Sequence, residues 1–170
     1  GPGLGGHCIP VDPTYLAWKM KSLNFPARFI ELATEINGHM PEHVADRIAD
    51  LLNEDRLAVN GARILVLGVA YKADISDMRE SPALDVIRLL AAKGAEVVYH
   101  DPHVREILLE GTSYKSVDLS DDRLASSDLV EGGFQGREGR GAEGVGTSVV
   151  PPVVEREQRR TSGTRVARPS

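Results

Sequence analysis

From Ile64 to Ala70 the chain reads Ile-Leu-Val-Leu-Gly-Val-Ala, a run without one side chain suited to water. It is too short for a buried helix and too uniformly apolar for a strand with one wet face. It therefore predicts a strand from Arg63 to Ala70, covered on both sides, at the centre of a parallel sheet. A parallel neighbour requires a crossover connection, usually helical. The sequence supplies one: a polar loop from Tyr71 to Glu80, Ser81 as a plausible N-cap, Pro82 at the first helical position and a stripe of Ala83, Val86, Ile87 and Leu90. Gly94 ends that helix, and Glu96 to His100 reads as a second strand closed by an Asp101-Pro102 turn. One right-handed β-α-β unit over 63–100 makes the fold class α/β.

Upstream, apolar residues recur at helical spacing from Thr14 to about Leu23 and from Pro26 to about Asn37, with Phe29, Ile30, Ala33 and Ile36 on one stripe. After Gly38 a third helix is expected, with Pro41 in its first turn and Val44, Ile48, Leu51 and Leu52 inward, ending near Asn53. Residues 1–13, dense in glycine and proline, read as a loop with no regular element. Beyond about Val130 glycine, arginine and glutamate dominate without periodicity, and too little apolar surface is available to offset the ordering entropy. The expected division is a cysteine-bearing loop over 1–13, a helical region over 14–60, a partial Rossmann-like parallel-sheet domain over 61–130 and a disordered or frame-shifted tail over 131–170.

A formal net charge of −5, with the basic residues spread along the chain, argues against nucleic acid as a partner. No apolar run approaches the roughly 20 residues that cross a bilayer, and the first residues carry no signal core, so a cytoplasmic protein with no membrane partner is expected. Cys8 is the sole cysteine, which rules out an internal disulfide framework and a multi-cysteine zinc site; no metal is expected.

Gly1, Gly3 and Gly6 formally satisfy G-x-G-x-x-G, but a dinucleotide fingerprint needs a strand before it and a helix opening inside it, and here Pro10 and Pro13 follow closely. The glycines instead suggest close approach of backbone N–H groups to a ligand and an accessible turn for Cys8. A lone cysteine is by default a small buried hydrophobe. The Gly-Pro context, with His7 before it and Asp12 four residues on, favours a nucleophile with proton-handling groups beside it. His7 alone carries little weight, and Asp12 by itself would read as a turn residue before Pro13. In the loop after the first strand, Lys72 and Arg79 are two cations between a strand end and a helix start, an arrangement suited to diphosphate oxygens, against the plainer reading of a solvated loop.

Gly1-Pro2-Gly3-Leu4-Gly5-Gly6-His7-Cys8-Ile9-Pro10-Val11-Asp12-Pro13 resembles the active-cysteine motif of the UDP-glucose/GDP-mannose dehydrogenase family. The His-Cys-Ile-Pro form, followed by Tyr15-Leu16-Ala17-Trp18-Lys19, is most similar to the branch that acts on UDP-N-acetylglucosamine. The resemblance continues through Phe29-Ile30-Glu31-Leu32-Ala33 and Glu35-Ile36-Asn37 and covers roughly three quarters of the chain.

It implies an NAD-dependent oxidation of the C6 alcohol of a UDP-sugar to the acid through a thioester on Cys8, with Asp12 organising water and proton transfer. It further implies that Gly3, Gly5, Gly6 and Lys72 bind substrate, that Arg79 reaches the NAD diphosphate, and that the whole enzyme is a homo-oligomer. The family's amino-terminal NAD domain is not represented in this sequence, and after Ser127-Asp128-Leu129-Val130 the expected apolar strand gives way to Gly132-Gly133-Phe134. A fragment of the enzyme is the first expectation. A non-catalytic UDP-sugar-binding module and an inactive truncated product are the alternatives.

Overall fold

The computed structural model describes residues 2–132; the tail expected over 131–170 lies, from residue 133 onward, outside the described residues. Three helices lead: α1 Cys8–Lys21, α2 Arg28–Gly38 and α3 Met40–Glu54. They are followed by β1 Arg63–Leu67, α4 Pro82–Ala92, β2 Glu96–His100, β3 Glu106–Leu109, β4 Thr112–Lys115, α5 Asp121–Ser126 and β5 Leu129–Gly132.

The principal sheet has the order β2-β1-β5, all parallel, with Leu65 opposite both Val98 and Val130. β1 is central, as its apolar run requires, although the strand stops at Leu67 because Gly68 takes φ 85° and turns the chain out of the ladder. Helices α3 and α4 cover one face. Val44, Ala45, Ile48 and Leu52 of α3 and Val86, Ile87 and Leu90 of α4 close over Ile64, Val66, Tyr99 and Leu129. The period-2 pleat of β1 and the 3.6 period of the two helices thus meet in one core.

Two expectations change. The loop over 1–13 ends early, because α1 begins at Cys8 and runs through Pro10 and Pro13. Pro10 lies in the first turn, where an N–H has no intrahelical acceptor to lose; Pro13 forfeits only the bond to the Ile9 carbonyl. The second change is at the carboxyl end, where 131 and 132 belong to β5 rather than to a tail. Arg63 and Asp128 lock that strand in place: the Arg63 amide donates to Asp128 Oδ2 at 2.9 Å, and the Asp128 amide donates to the Arg63 carbonyl at 2.8 Å.

The antiparallel hairpin β3–β4 was not anticipated. Its turn, Glu110-Gly111, takes positive φ at both positions, the geometry that two-residue hairpins favour. It hangs on the end of β2, where Tyr99 Oη donates to the Val104 carbonyl at 3.1 Å and Ile107 enters the core. Asp101 is structural, as its turn position suggests. Its Oδ2 accepts from the amides of Val69 and Ala70, and its Oδ1 from those of His103 and Val104.

Candidate functional site

The chain passes from β1 to β2 on one side of the sheet and from β2 to β5 on the other, so the carboxyl end of β1 is the position where open α/β sheets gather ligands. The segment Gly68–Ser81 emerges there. Against it lies the glycine loop, although the two are separated by more than sixty positions in sequence.

The fit between them explains the glycines. A Cβ on Gly5 would lie 2.7 Å from the Glu80 carbonyl oxygen and 2.8 Å from Tyr71 Cβ. On Gly6, whose φ is 91°, a Cβ would lie 2.7 Å from Tyr71 Cε2, and on Gly3, at φ 134°, 3.3 Å from Pro82. The Gly6 amide donates to the Arg79 carbonyl at 3.1 Å. Bare backbone at these positions lets the thiol-bearing loop sit on the loop after β1, and the Gly6 N–H is committed to that contact.

Cys8 opens the first turn of α1 and is exposed. Asp12, also exposed, is one helical turn further on, so the four-residue spacing read as loop proximity is instead an i,i+4 placement on one helix face. His7 takes the N-cap position without a side-chain cap bond.

The two cations differ. Lys72 is exposed and lines a small crevice with Gly68, Ala70, Asp74, Asp101 and His103, at the ends of β1 and β2. Arg79 is held by Asp77: Nε lies 3.0 Å from each carboxylate oxygen and Nη2 lies 2.6 Å from Oδ2. The hydrogen bonds from Arg79 hold the Asp77 carboxyl down at about 2, and the same pairing raises the guanidinium further above its ordinary value. Arg79 and the glycine loop are brought together through the Arg79 carbonyl, and Lys72 directly follows Tyr71, whose ring packs on Gly6. Sequence reading missed Asp77 and Tyr71; an aspartate two residues before an arginine in a loop is a recognisable Asx-turn signal.

A groove of about 620 Å³ opens beside the loop between α1 and α2, lined chiefly by apolar residues such as Ile9, Phe29, Ile30 and Pro82. The described residues do not form a seat for a dinucleotide. The loop after β1 lacks the glycine pattern, and both oxygens of Asp101, the acid at the end of β2, already accept two backbone N–H groups each. Among the described residues there is no group of three His, Cys, Asp or Glu side chains able to hold a metal ion, and no helix is long and apolar enough to cross a membrane.

A model of the UDP-glucose/GDP-mannose dehydrogenase family's central domain matches residues 1–39, and a model of that family's UDP-binding domain matches residues 65–131. The chain is 36% identical over 132 residues to the UDP-N-acetyl-D-mannosamine dehydrogenase of Methanococcus maripaludis, covering 76% of this chain and 28% of that protein. To the enzyme of the same name from Escherichia coli K12 it is 33% identical over 135 residues, covering 76% and 31%. A solved UDP-D-ManNAc dehydrogenase from Pyrococcus horikoshii superposes with a TM-score of 0.65 at 31% identity, over 78% of this chain and 29% of that one. The chain therefore spans under a third of the length of the curated relatives it matches. Their names correct the expected N-acetylglucosamine branch. The two hexosamines differ in configuration at C2, which the residues around Cys8 that suggested the branch do not distinguish.

Proposed function

Because this chain belongs to the UDP-glucose/GDP-mannose dehydrogenase family, we propose that it supplies the nucleophile and part of the substrate-binding surface of a nucleotide-sugar 6-dehydrogenase acting on UDP-N-acetyl-D-mannosamine. The observation that carries this reading is the docking of Gly3–Gly6 on the segment after β1, which brings the first turn of α1, with Cys8, to the ligand-gathering end of the sheet.

NAD is the family's cofactor. The residues described here do not seat it, apart from Arg79, whose guanidinium can offer its remaining donors to a diphosphate oxygen. Cys8 has the accessible sulfur needed to add to the C6 aldehyde carbon as a thiohemiacetal; NAD, when bound, would accept the hydride whose loss turns that adduct into the thioester. In the last step a water adds to the thioester carbonyl, Asp12 takes its proton, the C–S bond breaks, and the carboxylate leaves with Cys8 restored. Gly3 and Gly5 shape the loop against which the sugar rests, and Lys72 is positioned to attract substrate phosphate at the end of β1.

Calorimetric titration of the purified chain with UDP-N-acetyl-D-mannosamine tests the binding surface directly, and no detectable binding would refute it. In the complete enzyme, Cys8→Ala should abolish acid formation with the fold intact; normal turnover by that variant would refute the nucleophile assignment.

A further inference from the structure

At the two-loop contact, Asp77 is a group that the chemistry above leaves without a task, and it bonds to both Tyr71 and Arg79, the two residues that meet Gly6. Its side chain accepts from the Arg79 backbone N–H at 3.0 Å and from the Arg79 guanidinium at 2.6–3.0 Å. Its own carbonyl accepts from the Tyr71 amide at 3.1 Å. Tyr71 is the ring that fills the space a Gly6 side chain would need, and the Arg79 carbonyl is the acceptor for the Gly6 N–H. Glu80, next in the chain, has φ 51°, a left-handed conformation that strains a non-glycine residue and persists only where neighbouring contacts hold it.

We propose that Asp77 is the positioning residue of this site, fixing Arg79 and Tyr71 together so that the guanidinium is aimed outward and the loop bearing Cys8 is clamped to the end of β1. One residue thus sets the orientation of the diphosphate cation and the seat of the nucleophile's loop. Asp77 touches neither ligand nor sulfur; it acts through Arg79 and Tyr71. Because its carboxyl is held at about 2 by the hydrogen bonds from Arg79, the clamp stays charged throughout the neutral range. The catalytic consequence rests on the assignment of Cys8 and Arg79 made above, but the clamp does not, so its test reads the contact itself rather than turnover.

The measurement is amide hydrogen exchange and the Arg79 Nε–H resonance by NMR, on the 170-residue chain and on Asp77→Ala and Asp77→Asn. In Asp77→Ala the Gly6 amide should exchange at least about tenfold faster, corresponding to a lost contact of roughly 1.4 kcal/mol, and the Arg79 Nε–H signal should move to the position of a solvated side chain. Asp77→Asn retains an acceptor for the Arg79 amide and should lie between the parent and Ala. Protection of Ile64, Leu65 and Val66 in β1 should be unchanged in both. Gly6 exchange within twofold of the parent in Asp77→Ala, or loss of β1 protection in both variants, would overturn the assignment, the latter because it would make Asp77 a requirement of the fold.

Discussion

Gly6 illustrates how much a single position decides. With φ 91° and a tyrosine ring 2.7 Å from where a Cβ would stand, alanine there must both adopt a left-handed backbone and displace Tyr71. Gly6→Ala should cost about 1–3 kcal/mol in urea denaturation, or leave the fold intact only by undocking the loop, which faster exchange of the Gly6-loop amides would reveal. Tyr71→Ala should relieve that clash but not the backbone strain, so a Gly6→Ala change that costs less in the Tyr71→Ala background than in the parent would confirm the pairing. Lys72 and Arg79 make a separate prediction. Removing a charge-assisted bond to a bound phosphate should weaken ligand binding by about 1.5–3 kcal/mol in Lys72→Ala and Arg79→Ala. Unchanged affinity for both UDP-sugar and NAD in these variants would make the segment a solvated loop. The residue types were legible in the sequence, and the Asx turn at Asp77 had a local signal; that the Asp77 carboxylate also takes the Arg79 guanidinium was not legible, because it depends on the side-chain geometry of the folded loop.

Among the elements, β5 carries the clearest pH dependence. Glu131 pairs in register with Val66 of the central strand and is 3% exposed, with Oε2 lacking a hydrogen-bond partner among the described residues. Desolvation pushes its carboxyl up to about 7 from 4.5. The folded chain therefore keeps a proton that the unfolded chain loses above pH 4.5, and stability should fall as pH rises from about 4.5 to about 7, by up to about 3 kcal/mol. Glu131→Gln removes the titration. Its melting temperature should vary less than that of the parent across this interval, and identical profiles would refute the assignment. On α4, Ile87 is fully buried between helix and sheet, so Ile87→Ala should destabilise by about 2–5 kcal/mol in the same measurement. The helix begins where its sequence says, at Pro82 after Ser81, yet the Ser81 hydroxyl makes no cap bond and is buried without a partner among the described residues.

At the scale of the molecule, the sheet and its two covering helices form one core, whereas α1 and α2 hold their large apolar residues outward. Phe29 is 90% exposed, Trp18 71% and Tyr15 68%, and α2 buries no residue at all. Large apolar side chains exposed in this number promote association, so light scattering should find the mean mass of the purified chain rising with concentration, and Phe29→Glu with Trp18→Glu should suppress the rise. The chain alone should also fail to produce NADH from UDP-N-acetyl-D-mannosamine and NAD, since hydride transfer needs the nicotinamide held against C6 and a misplacement of about 1 Å can cost on the order of 100-fold. Turnover by the isolated chain would refute this. The sequence by itself determined the α/β class, the central strand, the helix after it and the chemical identity of the candidate groups, because hydrophobic period, proline, glycine and capping residues act over a few neighbouring positions. Tertiary structure alone decided that Cys8 opens a helix and that β5 completes the sheet at Glu131 and Gly132. It also decided that the glycine loop closes on Tyr71, Arg79 and Pro82, because those outcomes depend on which surfaces meet across more than sixty residues of chain, and local propensity does not encode that.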